Sequence, residues 1–324
     1  MTAEAAPFRA DLADGPEGGH AVWLRASDGV RIRLGLWPGG AKGTVVLLPG
    51  RTEYVEKYGR AAAALRQRGW SVLTIDWRGQ GLADRILPDP MLGHVGAFAD
   101  YQLDLDAALL WLRQEGGAAG FCGPLMMMAH SMGGLIGLRA LYRDLGFRAA
   151  VFSAPMWGIH MPIWRRPSAA VLSRLRLRLP QDHGYAPTTS GKSYLLVAPF
   201  EGNLLTGDPE MWAYMHRHAL AESGFGLGGP SLGWVRDALR EARALLRMAA
   251  PDVPAIVGLG GHEGIVEPGP IRRRMAAWPG AELDFYPEAR HELPMERAAI
   301  RDRFFDRAAE LYERTAPAQA VAAR

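Results

Sequence analysis

Pro124-Leu125-Met126-Met127-Met128-Ala129-His130-Ser131-Met132-Gly133-Gly134-Leu135-Ile136 is the stretch on which the reading of this chain turns. An apolar run leads directly into a serine flanked by small residues, and a helical pattern with Leu135, Leu138 and Leu141 begins near Met132. A serine on so sharp a strand-to-helix turn holds a strained backbone, so nothing larger than Ala or Gly fits two positions to either side. Ala129 and Gly133 meet that condition, although the usual pattern has glycine at both. The hydroxyl then projects above the sheet beside the positive end of the following helix, which makes Ser131 the candidate nucleophile.

Working outward, Thr44 to Leu48, Ser71 to Ile75 and Ala150 to Phe152 are nearly continuous in apolar residues and predict strands buried on both faces. Between them Val55, Tyr58, Ala62 and Leu65 share one helical face, as do Phe98, Tyr101, Leu105, Leu109 and Leu112. The alternation resumes late, with strands at Pro254 to Leu259 and Leu283 to Tyr286. Helices are expected from about Pro270 and from near Pro294. Strands alternating with helices imply an α/β chain with a mostly parallel central sheet flanked by helices. Ala21 to Leu24 and Arg31 to Leu36 around Ser27-Asp28-Gly29 predict an antiparallel hairpin at one edge.

From about Met156 to Trp234 the alternation stops, and the segment is rich in Trp, Met, Gly, Pro and Arg. Asp208-Pro209-Glu210 there predicts a helix start, with a side-chain cap and proline in the first turn. The expected organisation is a core of residues 1–155 and 235–324, with a mainly helical cap, 156–234, inserted after the sixth strand.

A serine hydroxyl needs a base, and the base needs an orienting carboxylate. On a strand-to-helix elbow the chain order is serine, acid, histidine, with the histidine after the last strand. His291, just beyond the strand ending at Tyr286, meets that requirement; His262 is too close to the expected acid, and a loop role suits it. The glycine-rich turn Gly260-Gly261-His262-Glu263-Gly264 delivers Glu263, with Glu267 as competitor; Asp252 and Asp284 lie before or within strands. An oxyanion hole needs two backbone donors, assigned to the amides of Met132 and of Arg51 in the turn Pro49-Gly50-Arg51.

Among 324 residues, 37 are basic and 34 acidic, a formal charge of +3, too small an excess to indicate nucleic acid. Cys122 is the one cysteine, which excludes an intramolecular disulfide and a multi-thiolate zinc site, and it reads as a small buried residue beside a core strand. Gly79-Gln80-Gly81 and the glycines near Gly260 lack the spacing of a dinucleotide loop, and no metal or organic cofactor is expected. Met1-Thr2-Ala3-Glu4 opens no secretory signal and no apolar window is long enough to span a membrane, so a cytoplasmic protein is expected. His94 and Arg78 are expected to stabilise a loop.

With these residues placed, the chain resembles the bacterial lysophospholipase L2 branch of the monoacylglycerol lipase-like α/β-hydrolases. The matching stretches are Pro49-Gly50-Arg51-Thr52-Glu53 with Lys57-Tyr58, Asp76-Trp77-Arg78-Gly79-Gln80-Gly81, and Gly93-His94-Val95 with Phe98 and Asp100-Tyr101. They continue through the Ser131 elbow, Pro155-Met156, Asn203, Leu205-Thr206, Asp208-Pro209 and Ala289-Arg290-His291-Glu292. The wider family often has His-Gly where this chain has Pro49-Gly50, and aspartate where it has Glu263.

The resemblance implies the α/β-hydrolase fold and a serine hydrolase that cleaves a lysophospholipid, monoacylglycerol or similar small ester through an acyl-enzyme. An aminopeptidase or other amidase is an alternative, for which Glu201, Asp208, Glu210 or Glu222 would hold the substrate ammonium; a non-catalytic binding protein of the same fold is another. Arg165, Arg166, Arg174, Arg176 and Arg178, interspersed with leucines, suggest peripheral contact with an anionic membrane surface at the inner face of the membrane.

Overall fold

The computed structural model describes residues 3–160 and 180–316. Within them nine strands form one sheet: β1 (Glu4–Ala6), β2 (His20–Arg25), β3 (Arg31–Trp37), β4 (Gly43–Leu48), β5 (Trp70–Asp76), β6 (Leu125–His130), β7 (Phe147–Ser153), β8 (Ala255–Gly260) and β9 (Ala281–Tyr286). Their order is β1-β2-β3-β5-β4-β6-β7-β8-β9. The first three strands and the β3–β5 pair run antiparallel, and every pair from β5 through β4 to β9 is parallel. The longer helices are α1 (Gly59–Gln67), α2 (Tyr101–Gln114), α3 (Met132–Leu141), α4 (Pro209–Ala221), α5 (Leu232–Leu245), α6 (Pro268–Ala276) and α7 (Ala298–Thr315).

The continuous apolar runs follow from burial on both faces. Successive side chains of a strand point to opposite sides, so Val46 and Leu48 of β4 join one core with Leu105, Leu135 and Ile271, while Val45 and Leu47 join the other with Ala62, Leu65, Phe304 and Leu311. In β6 the methionine run divides the same way, Met127 and Ala129 to the first face and Met126 and Met128 to the second. Asp208 caps α4 as its sequence predicts, accepting from the Glu210 and Met211 amides at 2.8 and 3.3 Å.

Five expectations need correction. The hairpin is not the sheet edge, because β1 pairs with the outer side of β2; three residues, Glu4-Ala5-Ala6, carry too little pattern to announce a strand. With that extra strand, the segment expected as an insertion follows the seventh strand rather than the sixth. The boundary drawn at 234/235 falls inside α5, which starts where Ser231 Oγ accepts the Trp234 amide at 3.0 Å. Cys122 is exposed, since β6 begins only at Leu125 and leaves the cysteine on the preceding turn. The last helix also starts later than Pro294, which sits in a short 3-10 turn, Leu293–Met295.

One buried network pins the loops above the sheet. Arg33 reaches Glu56 at 2.6 Å and Asp76 at 2.8 Å with all three side chains out of solvent, and Asp76 also accepts the Val55 and Leu82 amides. Breaking such a group strands a charge, so the network dictates where the turn Val55–Tyr58 sits.

Candidate active site

Ser131 stands between β6 and α3 with φ 49° and ψ −115°, a conformation disfavoured for any residue with a Cβ. Its surroundings hold it there: the Ser131 amide donates to Ser153 O at 3.1 Å, and Ser131 O accepts from the Met156 and Gly134 amides at 2.8 and 2.9 Å. The small residue two places on is required by packing, since a Cβ at Gly133 would collide with the Leu48 carbonyl.

The other two candidate residues arrive on loops that follow β8 and β9. Those loops touch backbone to backbone, so that a Cβ at Gly260 would meet the Ala289 and Arg290 carbonyls. His291 Nδ1 lies 2.8 Å from Glu263 Oε2, while Glu263 Oε1 accepts the Ile265 and Val266 amides at 2.7 and 2.9 Å. Burial pushes the Glu263 carboxyl up, but His291 and the two amides outweigh it, and the net shift is downward, keeping it ionised. A carboxylate on Nδ1 places the proton there and leaves Nε2 as the acceptor. Ser131 and His291 line one cavity. Ser131 Oγ makes no hydrogen bond among the described residues; such bonds are often long in free enzymes and tighten with substrate.

Glu267 is held elsewhere, its amide donating to Gly158 O at 3.0 Å at the start of α6, and it is Glu263 that reaches the histidine. His262 is exposed on the loop and lines a separate depression with Glu288 and Arg297. His94 and Arg78 lie outside the cavity: His94 Nδ1 is 2.7 Å from Ser231 Oγ, and Arg78 is bound to Asp104 and Asp28.

The amides of Arg51 and Met132 have no acceptor among the described residues. Met132 is the first residue of α3, whose leading N–H groups have no partner within the helix. The turn before Arg51 is clamped: Trp77 Nε1 donates to Pro49 O at 3.0 Å, Gln80 Nε2 to Gly50 O at 2.8 Å, and the Gly50 amide to Glu53 Oε2.

Beneath this turn lies a buried ionic cluster. Lys57 Nζ donates to Glu53 Oε1 at 2.7 Å and to Glu292 Oε1 at 2.8 Å, and Tyr58 donates its hydroxyl proton to Glu53. Burial would raise the Glu53 carboxyl, but Lys57, His130 and the hydrogen bonds outweigh it and bring it down to about 2. Glu292 goes the other way, because burial outweighs its contact with Lys57. His130, whose ring centre is 4.7 Å from that of His291, is pushed down to about 3 by burial, partly offset by Glu53. A neutral His130 places no competing charge beside the imidazolium that His291 would become. Glu53, His130 and Glu292 are near enough to one another to suggest a metal site, but the Lys57 ammonium already bridges both carboxylates. The sequence signalled no role for these four residues beyond their place in the matched stretches.

The cavity holds about 340 Å³ and is mostly apolar, lined by Met156, Ile159, Leu195, Leu204, Phe225 and Val235 beside the polar groups. The acids named for an ammonium site are engaged elsewhere. Glu210 pairs with Arg60 at 2.8 Å, Asp208 caps α4, Glu222 caps a short turn through the Gly224 amide, and Glu201 is exposed; none of the four lines the cavity. The arginine-rich stretch from Arg165 to Arg178 lies outside the described residues. No helix among the described residues is long and apolar enough to cross a membrane.

Comparison with known proteins gives concordant matches. The family model Hydrolase_4, described as serine aminopeptidase, S33, matches residues 39–298. Lysophospholipase L2 of Escherichia coli strain K12 is 35% identical over 230 residues, 69% of this chain and 64% of its own length. The chain thus spans less than two thirds of that relative. A probable lysophospholipase L2 of Haemophilus influenzae is 27% identical over 261 residues, covering 79% of each chain. Among solved structures, a soluble variant of the monoglyceride lipase of Saccharomyces cerevisiae superposes with a TM-score of 0.70 at 20% identity, over 97% of this chain and 99% of that one. A Paleococcus ferrophilus monoacylglycerol lipase does so at 0.65 and 18% identity, over 87% and 98%.

Proposed function

The chain belongs to the Hydrolase_4 (serine aminopeptidase, S33) family and has the α/β-hydrolase fold, and from its likeness to the lysophospholipases L2 and its apolar cavity we propose that it hydrolyses carboxylic esters of single-chain acyl lipids, lysophospholipids or monoacylglycerols, through an acyl-enzyme. In this reading Ser131 attacks the ester carbonyl and His291 takes its proton. Glu263 orients the imidazole, and the Arg51 and Met132 amides receive the oxyanion. The alcohol leaves with the proton from His291, and water attacks the acyl-enzyme in the second half-reaction. The segment between β7 and β8, read as a cap, contributes Leu195, Leu204 and Phe225 to the acyl-binding wall.

The observation that carries this reading over the amidase alternative is the character of the cavity. Its carboxylates, Glu53 and Glu292, are both bound to Lys57, so no unengaged acid among the described residues faces a substrate ammonium, whereas the apolar lining suits an acyl chain. The chain should hydrolyse 1-acyl lysophospholipids or monoacylglycerols at rates at least tenfold above those for aminoacyl p-nitroanilides, by roughly the margin that an unpaired buried ammonium imposes. Faster cleavage of the anilides in a side-by-side assay would transfer the chain to the amidases.

Peripheral contact with an anionic membrane belongs to the same reading. Support comes from the basic sequence around Arg174 to Arg178 and from exposed Leu196 and Val197, which share a short helix with the cavity-lining Tyr194 and Leu195. Basic residues near an anionic surface contribute roughly 1 kcal/mol each. Replacing Arg174, Arg176 and Arg178 by glutamate should weaken sedimentation with anionic liposomes and slow hydrolysis of lipid presented there, while a short soluble ester is cleaved as before. Equal loss on both substrates would mean a damaged fold, and no loss on either retires the membrane contact.

A further inference from the structure

Apart from Tyr54 and Tyr194, six acidic or basic side chains line the cavity, and five of them are accounted for: Glu53, Lys57, His130 and Glu292 in the buried cluster, and His291 on Glu263. The sixth, Arg51, has no carboxylate partner. Its Nη2 donates to a neutral acceptor, Gly228 O, at 2.5 Å; its guanidinium carbon lies 5.5 Å from the centre of the Trp234 ring; and its Nε is buried without an acceptor. The residues outside the described set, 1–2, 161–179 and 317–324, include no Asp or Glu, so they hold no side-chain carboxylate for it either. Burial brings the guanidinium down to about 10, little offset by the phenols of Tyr101 and Tyr185, and it is therefore cationic at neutral pH.

Arg51 is half-buried, yet its Nε is enclosed without an acceptor, and a cation partly withdrawn from water with no anion beside it is a favourable place for one to bind. The planar fork of arginine matches phosphate oxygens two at a time, whereas a neutral glycerol offers it only hydroxyls. Position agrees with chemistry. The amide of the same residue is the proposed oxyanion donor, and an arginine stem and the glycerol linker between an acyl ester and a headgroup phosphate are of similar length. The wall facing the guanidinium, Gly93, Gly228 and Trp234, leaves it little freedom to turn away: a Cβ on Gly93 would overlap its Nη2.

We infer that the Arg51 guanidinium binds the headgroup phosphate of a lysophospholipid and so makes the chain prefer phosphate-bearing single-chain esters to neutral monoacylglycerols. This rests on the ester-hydrolase reading above and adds to it a specificity-determining side chain.

The test uses non-hydrolysable ligands and the full chain carrying Ser131→Ala, so that binding is read without turnover. A 1-O-alkyl-glycerophosphocholine, the 1-O-alkylglycerol of the same chain length and glycerol 3-phosphate are titrated calorimetrically below micelle-forming concentrations. Adding Arg51→Gln should lower the affinity ratio of the phosphocholine ether to the alkylglycerol by roughly ten- to a hundredfold, the value of a charge-assisted hydrogen bond. Arg51→Lys, which keeps the charge but not the fork, should restore part of that ratio. An unchanged ratio, through equal loss on both ethers or no loss on either, overturns the assignment, and the alkylglycerol doubles as the control for folding. Glycerol 3-phosphate binding as tightly as the phosphocholine ether, with the same dependence on Arg51, would overturn the lipid assignment in favour of a soluble phosphate ester. If neither ether binds the chain that retains Arg51, the single-chain-lipid reading itself fails and this inference falls with it. A changed ratio without lipid hydrolysis by the chain that retains Ser131 would instead support Arg51 while removing the proposed reaction.

Discussion

Ser131→Ala should abolish ester hydrolysis and labelling by a fluorophosphonate, with a loss in turnover on the order of 10⁴- to 10⁶-fold. The size follows from the proposed role, because without the hydroxyl there is no acyl-enzyme and only the oxyanion donors and substrate binding remain to act. The fold should barely register the change. Ser131 Oγ makes no hydrogen bond among the described residues, and the backbone at φ 49° is held by the Ser153, Met156 and Gly134 contacts, none of which involves the hydroxyl. Alanine carries the same Cβ into the same strained conformation, so the strain is neither relieved nor increased. The melting temperature should stay within about 2 °C of the unsubstituted chain, the response to a few tenths of a kcal/mol. Retained labelling in the alanine chain would show that another residue is the nucleophile.

The second large effect is expected at the acid. Glu263→Gln should lower turnover on a soluble ester by about 10³- to 10⁴-fold. The Glu263 carboxylate accepts from three donors, the Ile265 and Val266 amides on one oxygen and His291 Nδ1 on the other. A glutamine has one oxygen to offer. Turned toward the two amides, it presents its NH₂ to Nδ1, which drives the proton to Nε2 and leaves the imidazole unable to receive the serine proton. Turned toward Nδ1, it sets its NH₂ against two N–H groups, and the neutral amide cannot stabilise an imidazolium in either arrangement. Glu267→Gln should change turnover by less than about twofold, since that residue sits at the start of α6. Comparison of kcat for both variants on one p-nitrophenyl ester checks the pair, and a larger loss at Glu267 would exchange the assignment.

The charge arrangement around His291 is consistent with this division of labour. Against its ring lie Glu263, held ionised, and His130, tilted across it and held neutral by burial. The Glu53–Lys57–Glu292 cluster keeps its charges paired with one another and anchors the Arg51 turn through Gly50.

What the sequence by itself determined is local in origin. The apolar runs of β4, β5, β6 and β7 are legible because strands buried on both faces leave few polar positions, and the elbow is legible because a strained turn excludes large neighbours at positions 129 and 133. Chain order then pointed to the loops after β8 and β9. Tertiary structure decided what depends on groups far apart in the chain. The choice between Glu263 and Glu267 rests on two loops meeting backbone to backbone at Gly260, a contact no local pattern carries. Glu53, Lys57, Glu292, Arg33 and Glu56 carry no local sign of their burial; they are buried because partners as many as 235 positions away neutralise them. Arg51 is the complementary case: its residue type was plain, but that no carboxylate among the described residues meets it is a property of the folded cavity. Periodicity reports which face of an element is buried, and pairing across the fold determines which charges can follow it inside.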